Sequence, residues 1–286
     1  MNNLVKRSLS GIVFLIIMVA SMLLGNIVDW GKYLYLITMS FALIVMMAEF
    51  LKMTMGSLYK ASRTLAIIGG VLMFLVTFLV YGFKSVDGRF TVLAFVPIFV
   101  VMINSLFLDD KSEFGKFANI YTAILYIAVP WTLLNLTIFD SQFRFNGMTL
   151  LSMFIIIWVS DVGAYCFGST LGQKYGKKLF PSISPHKSWI GFWGGFFTAV
   201  AAGVAMHFIP CFPAAKMPIW HCVALSAIMN VCGVFGDLIE SQWKRHYSVK
   251  DSGTIIPGHG GMLDRFDSAL MAIPAAVIYM MCFNLL

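Results

Sequence analysis

Nine stretches of about twenty mainly apolar residues, strung along a 286-residue chain, leave this protein few ways to fold. An α-helix rises about 1.5 Å per residue, so roughly 20 apolar residues cross the roughly 30 Å hydrocarbon core of a bilayer. The stretches lie near Leu9–Ile27, Gly31–Met53, Thr64–Phe83, Phe90–Leu108, Phe117–Phe139, Gly147–Gly168, Trp189–Ile209, Ile219–Ile239 and Ser268–Leu286. In hydrocarbon every backbone polar group must be satisfied internally, and runs of this length do so as helices. The predicted fold is therefore all-α, a polytopic integral membrane protein of about nine transmembrane helices. Composition agrees: 59% of residues are hydrophobic and 12% charged, against about 25% charged in an average soluble domain.

Charge placement predicts the orientation. With the N-terminus in the cytoplasm, 15 of the 20 Lys and Arg residues fall on the cytoplasmic side, among them Lys6, Arg7, Lys52, Arg63, Lys111 and Lys116. Only Lys32, Lys84, Arg89, Arg144 and Lys216 fall outside. This positive-inside bias puts the C-terminus outside. The net charge of +7 follows from it, and basic residues confined to loops between apolar runs argue against nucleic acid as a partner. Cys166, Cys211, Cys222, Cys232 and Cys282 have no CxxC spacing and sit mostly in apolar runs, so neither a disulfide framework nor a zinc site is expected. The first apolar run follows Lys6 and Arg7 without a clear small-x-small cleavage site and reads as a retained span.

Organisation divides at about residue 145. Residues 1–145 hold five spans nearly devoid of polar chemistry; their one internal carboxylate, Glu49, lies near the cytoplasmic end of the second. Residues 146–286 hold four spans and two long cytoplasmic loops, Ser169–His186 and Glu240–Asp267, rich in Gly, Pro, His and charge, and the whole is expected to form one integral unit. Long loops on a rigid scaffold tend to carry function.

The second loop concentrates the chemistry. Lys244, Arg245, Lys250 and Arg265 supply fixed positive charge, and Asp251, Asp264 and Asp267 supply hard oxygen ligands. The mixture suits a metal-bound polyphosphate, because Mg²⁺ prefers one or two carboxylates plus phosphate oxygens. In Pro257-Gly258-His259-Gly260-Gly261 the missing side chains let backbone N–H groups approach phosphate, and His259 is the histidine to test. Upstream, helical spacing puts Asp237, Glu240 and Ser241 on one face, while Asp264 and Asp267 share one if the ninth span begins early. A charged Asp in a bilayer is costly and normally faces a cavity, a partner or an ion, which makes Asp237 a ligand candidate. Asp161, two turns inside the sixth span, is expected to face a polar pocket shared with spans seven and eight. In the first loop, Ser184 and Lys187 just precede a helix and are the favoured phosphate contacts. His207 and His221 read as interfacial or core histidines, Gly191 and Gly195 as helix packing, and Trp30, Tyr33 and Tyr35 as an interfacial aromatic belt.

From Ser241 to Asp267 the chain resembles the signature of the phosphatidate cytidylyltransferases: serine, Lys244-Arg245, Lys250-Asp251, Gly253, Pro257, His259-Gly260-Gly261 and Asp264-Arg265-x-Asp267. Ser184-Pro185-x-Lys187-Ser188-Trp189 and Gly191-x-x-Gly194-Gly195 are similar to the family's other loop. Trp243 departs where an aliphatic residue or Phe is usual, and Ile190 where a Glu is common. The resemblance implies that CTP and phosphatidate give CDP-diacylglycerol and pyrophosphate, with Mg²⁺ required and room for a second cation. It implies metal ligation by Asp237 and Asp264, with Lys244, Arg245, Lys250 and Arg265 on the phosphates of CTP. Ser184 and Lys187 would hold the lipid phosphate; Asp161, Asp251, Asp267 and His259 would support, the last as proton donor to pyrophosphate. The spans imply the lipid bilayer, the compact, tail-free chain a bacterial inner membrane, and the charge bias a cytoplasmic active site, and a homodimer stands among the open states. Two rivals fit some of the same residues: a CTP-dependent polyprenol or lipid kinase, and a cation-coupled transporter built on Asp161 and Asp237.

Overall fold

The computed structural model describes residues 3–108 and 113–286, with side chains from residue 9 onward; Lys111 and the side chains of Lys6 and Arg7, used above for orientation, lie outside the described part. Helices follow in the order α1 (Asn3–Leu23), α2 (Gly31–Met55), α3 (Lys60–Gly82), α4 (Val96–Asn104), α5 (Ala118–Ala123), α6 (Val129–Thr132), α7 (Met148–Phe167), α8 (Gln173–Tyr175), α9 (Trp189–His207), α10 (Ile219–His246), α11 (Leu263–Phe266) and α12 (Ala269–Cys282). Among the described residues, nine helical stretches are long and apolar enough to cross a membrane. Their outer faces carry Ile16, Ile37, Phe41, Ile68, Leu72 and Phe99 in exposed positions. So much exposed aliphatic and aromatic surface suits contact with lipid rather than water, and the chain is an integral membrane protein.

The chain folds into two compact units. The first comprises Met1–Gly147 together with Tyr247–Arg265; the second comprises Met148–His246 and Phe266–Leu286. The signature loop from Tyr247 belongs to the unit of the first five spans.

The first unit has a core of fully buried Phe50, Phe74, Phe78 and Trp131. Several polar groups in this core are hydrogen-bonded, as burial favours. The Tyr35 hydroxyl donates to Asn135 Oδ1 at 3.2 Å, Asn135 Nδ2 donates to the Phe74 carbonyl at 2.9 Å, and Trp131 Nε1 donates to the Met39 carbonyl at 2.9 Å. Tyr35 is thus a core residue and not part of an aromatic belt, whereas Trp30 and Tyr33 are exposed. The fourth and fifth spans are irregular: a 3₁₀ stretch, Gly88–Phe95, leads into α4, and a π turn, Ile124–Ala128, separates α5 from α6.

In the second unit α9 packs on α7 at small residues. A methyl group on Gly191 would stand 3.0 Å from the Ala164 carbonyl oxygen, and one on Gly195 would stand 2.9 Å from that of Ser160. The GxxxG is accordingly a packing device. α10 runs on to His246 instead of ending near Ile239, because Glu240 and Lys244 pair at helical spacing and carry the helix past its apolar part. Lys244 and Arg245 therefore stand on a helix. The other long loop also holds more structure than expected: a π turn, Gly168–Gly172, extends α7, and β1 (Lys178–Phe180) pairs antiparallel with β2 (Ser184–Ser188), Lys178 opposite Ser188 and Phe180 opposite Ser184. The last span begins at Leu263, five residues before the sequence pattern suggests.

Candidate active site

In the first unit the signature loop folds around two carboxylates. Pro257 and Gly258 occupy the centre of a tight turn, with His259 N–H donating to the Ile256 carbonyl at 2.9 Å and Gly258 at φ 76°. Proline followed by a residue of positive φ is the chemistry of a type II turn, and glycine takes that φ without strain. Ile256 N–H then donates to the Gly260 carbonyl at 3.1 Å and closes the turn into a short loop. Asp264 Oδ2 gathers the loop's two ends: it accepts from Gly261 N–H at 2.7 Å and from both the N–H and the hydroxyl of Ser252 at 3.0 Å. Glu49, from α2, accepts Met262 N–H at 3.1 Å, Leu263 N–H at 2.9 Å and the Ser252 hydroxyl at 3.3 Å.

The loop so tied borders a cleft of about 440 Å³ lined by Lys250, Asp251, Thr254, His259, Gly260 and Arg265, with Gly253, Ile256 and Gly258. Arg265 donates to the His259 carbonyl at 2.6 Å, which fixes the guanidinium at the rim. His259 is held from α1, where Ser10 Oγ lies 3.1 Å from Nδ1 and donates to the Pro257 carbonyl at 2.9 Å. Two cations, an imidazole and bare backbone around one cleft, with the Asp251 carboxylate among them, are groups suited to hold an anion or a metal-bound anion. Five residues singled out from sequence, namely Lys250, Asp251, His259, Gly260 and Arg265, come together here, and Asp264 ties the loop that carries them.

The second unit carries a carboxylate cluster. Asp161 on α7 and Asp237 and Glu240 on α10 all lie within electrostatic reach of Asp267, at the start of the last span. α10 approaches that turn closely: a methyl group on Gly236 would stand 2.4 Å from the Asp267 carbonyl oxygen. Cations stand beside two of these carboxylates. Lys187, on β2, provides one, its Nζ 2.5 Å from Asp237 Oδ2, and Ser241 donates to Asp237 Oδ1 at 3.2 Å. Lys244 provides another, 2.8 Å from Glu240 Oε2. Asp161 is exposed, and Asp267 at the start of the ninth span lies within its electrostatic reach.

Several expected phosphate contacts have other partners. Lys244 is committed to Glu240, and Arg245 Nε donates to the Ile183 carbonyl at 3.4 Å, reaching the strip between β1 and β2. Ser184 lies on β2 with Lys187. Gly261 faces inward: a methyl group there would stand 2.2 Å from Ser252 Oγ and 2.6 Å from Glu49 Oε2, so its bareness serves the tie and not the cleft. His221, buried, meets the Tyr279 hydroxyl at 2.9 Å, and His207 meets the Ala214 carbonyl at 3.2 Å, both plain structural contacts. Glu49 and Ser10 carry no local motif in the sequence, and only the packing of α1 and α2 against the loop reveals them.

Comparison with known proteins adds an independent line. A sequence model described as the cytidylyltransferase family matches residues 5–283. A phosphatidate cytidylyltransferase of Staphylococcus aureus is 36% identical over 177 residues, which cover 62% of this chain and 64% of that protein. Proteins of the same name from Staphylococcus epidermidis and Staphylococcus haemolyticus are 34% identical over the same length and coverage. The matched stretch thus spans just under two thirds of the length of these relatives.

Proposed function

The chain belongs to the cytidylyltransferase family, and on that premise we propose that it is a phosphatidate cytidylyltransferase, converting CTP and phosphatidate to CDP-diacylglycerol and pyrophosphate. The observation that carries this reading is the cleft of the first unit, where Lys250, Arg265 and His259 face one space over a loop held by carboxylates. The names borne by the staphylococcal relatives support the choice of lipid.

The reaction brings together two anions, so cations must offset their repulsion before the lipid phosphate can attack the α-phosphorus of CTP. Lys250 and Arg265 are assigned to the phosphates of CTP, with backbone N–H groups of the 258–260 turn beside them. His259, oriented through Ser10, is the group to hold a proton for departing pyrophosphate. No general base is required, because a phosphate monoester is largely dianionic near pH 7. In the second unit Lys187 and Ser184, both on β2, are assigned to the lipid phosphate.

Among the described residues no three His, Cys, Asp or Glu side chains converge as a ready ligand set. Mg²⁺ needs only one or two carboxylates and takes the rest of its shell from phosphate oxygens and water, so the carboxylate cluster fits it. Asp237 with Asp267 would hold the ion, and Asp161 could serve a second cation. Asp264, expected as a ligand alongside Asp237, already gathers three donors on Oδ2, and we assign it to holding the loop. When bound, the ion would neutralise phosphate charge. The proposed setting is a bacterial inner membrane with the N-terminus and both loops in the cytoplasm, an orientation that the excess of Lys and Arg in those segments supports.

The test is a pyrophosphate-release assay in detergent with CTP, phosphatidate and graded Mg²⁺. Label from the α-phosphorus of CTP should enter the lipid. Transfer of the γ-phosphorus alone would replace this reading with a lipid kinase, and no release at any Mg²⁺ level would end it.

A further inference from the structure

We infer that Glu49, which lies outside the signature and is the one carboxylate of its span, is a positioning residue for the nucleotide cleft. It spans both ends of the loop. One carboxylate takes two consecutive backbone N–H groups, Met262 at 3.1 Å and Leu263 at 2.9 Å, on the far side of the turn, and the Ser252 hydroxyl at 3.3 Å on the near side. Ser252 is shared with Asp264, which accepts its N–H and its hydroxyl at 3.0 Å. The segment between these anchors, from Gly253 to Gly260, provides most of the cleft lining. The cleft's geometry is thus set from α2, about 200 residues away in sequence.

Two glycines make room for this contact. A methyl group on Gly253 would stand 2.1 Å from Glu49 Oε1, and one on Gly261 would stand 2.6 Å from Oε2, so the loop lies against the carboxylate on both sides. A charged acceptor facing backbone donors holds them more strongly than a neutral one. The carboxylate does not line the cleft and touches no substrate in this assignment; it acts by holding the loop. Lys250 and Arg265 sit two residues outside its anchors and would lose their spacing if either end swung free.

The inference rests on the proposed cytidylyl transfer, and the experiment separates the two. Glu49→Gln keeps the size and one acceptor but loses the charge, setting an NH₂ against a backbone donor. Full-length protein in detergent is assayed for pyrophosphate release while CTP and phosphatidate are varied separately, and hydrogen exchange is followed without nucleotide. In Glu49→Gln the KM for CTP should rise about tenfold with that for phosphatidate unchanged. Exchange should quicken at residues 261–263 and not in the spans, and Glu49→Asp should recover part of the loss. An unchanged KM for CTP overturns the inference, whether or not exchange quickens, because the tie would then be structural only; an equal rise in both KM values overturns it too. Should Glu49→Gln fail to fold, Ser252→Ala removes the bridging hydroxyl and is read by the same criteria. Failure of the cytidylyl reading itself would show in the wild type, as absence of pyrophosphate release, whereas failure of this inference shows only in the variants.

Discussion

Lys187 Nζ lies 2.5 Å from Asp237 Oδ2, joining the β1–β2 hairpin to α10 through one ion pair. About a quarter of the Lys187 side chain and a third of that of Asp237 remain exposed, but Lys187 Nζ itself is buried. Both groups also belong to the assigned sites. Lys187→Met should raise the KM for phosphatidate about tenfold, and Asp237→Asn should lower kcat about 100-fold or more. Separate variation of the two substrates checks this. Near-normal kcat in Asp237→Asn would remove it from the metal assignment.

The pair one helical turn further on behaves differently. Glu240 has no exposed side-chain surface and Lys244 has 12%, at 2.8 Å. Removing one partner of a buried pair strands the other charge, at a cost of about 3 kcal/mol or more. Lys244→Met should therefore lower stability clearly, and Lys244→Met with Glu240→Gln should restore much of it. Unfolding in mixed micelles measures both. A Lys244→Met protein of unchanged stability and lost activity would return Lys244 to the phosphate contacts expected from sequence.

Much of this is legible in the chain. The spans follow from run length, since nothing but a helix satisfies its own backbone in hydrocarbon, and the cleft residues from Lys250 to Arg265 are contiguous enough for composition to mark them. What sequence does not mark is contact at long range. Glu49 reads as an isolated carboxylate in an apolar span, and Ser10 as one hydroxyl in the first helix; each acquires meaning only where α2 or α1 meets a loop more than 200 residues later. Tyr35 misleads for a related reason, because a tyrosine near a span end suits an interface until Asn135 is seen beside it in the core. The end of α10 is likewise hidden, because hydropathy stops at Ile239 whereas the Glu240–Lys244 pair continues the helix without it.

Asp264→Asn tests the loop from within. Oδ2 faces three donors, two backbone N–H groups and the Ser252 hydroxyl. An asparagine must either turn its NH₂ toward them or keep its oxygen there and lose the charge, and charged acceptors bind about twice as strongly as neutral ones. Membrane insertion and the apolar cores do not depend on this contact, so the protein should be recovered folded, with turnover reduced about 100-fold or more. Size-exclusion behaviour and pyrophosphate release together decide it, and a folded variant with near-normal turnover would show that the loop needs no carboxylate at its base.

Gly261→Ala separates steric from electrostatic control of the same loop. The added methyl would fall 2.2 Å from Ser252 Oγ and 2.6 Å from Glu49 Oε2, closer than carbon approaches oxygen, so residues 261–263 must lift away from α2. Gly115→Ala provides the control, because a methyl group there meets nothing within 4 Å. Since the spans bury their cores independently of the loop, both variants should unfold at nearly the wild-type temperature. Only Gly261→Ala should weaken the KM for CTP, by about tenfold, the loss expected when one hydrogen bond to a charged group is broken. Equal CTP affinity in the two variants would mean that the loop reaches its working shape without resting on Glu49.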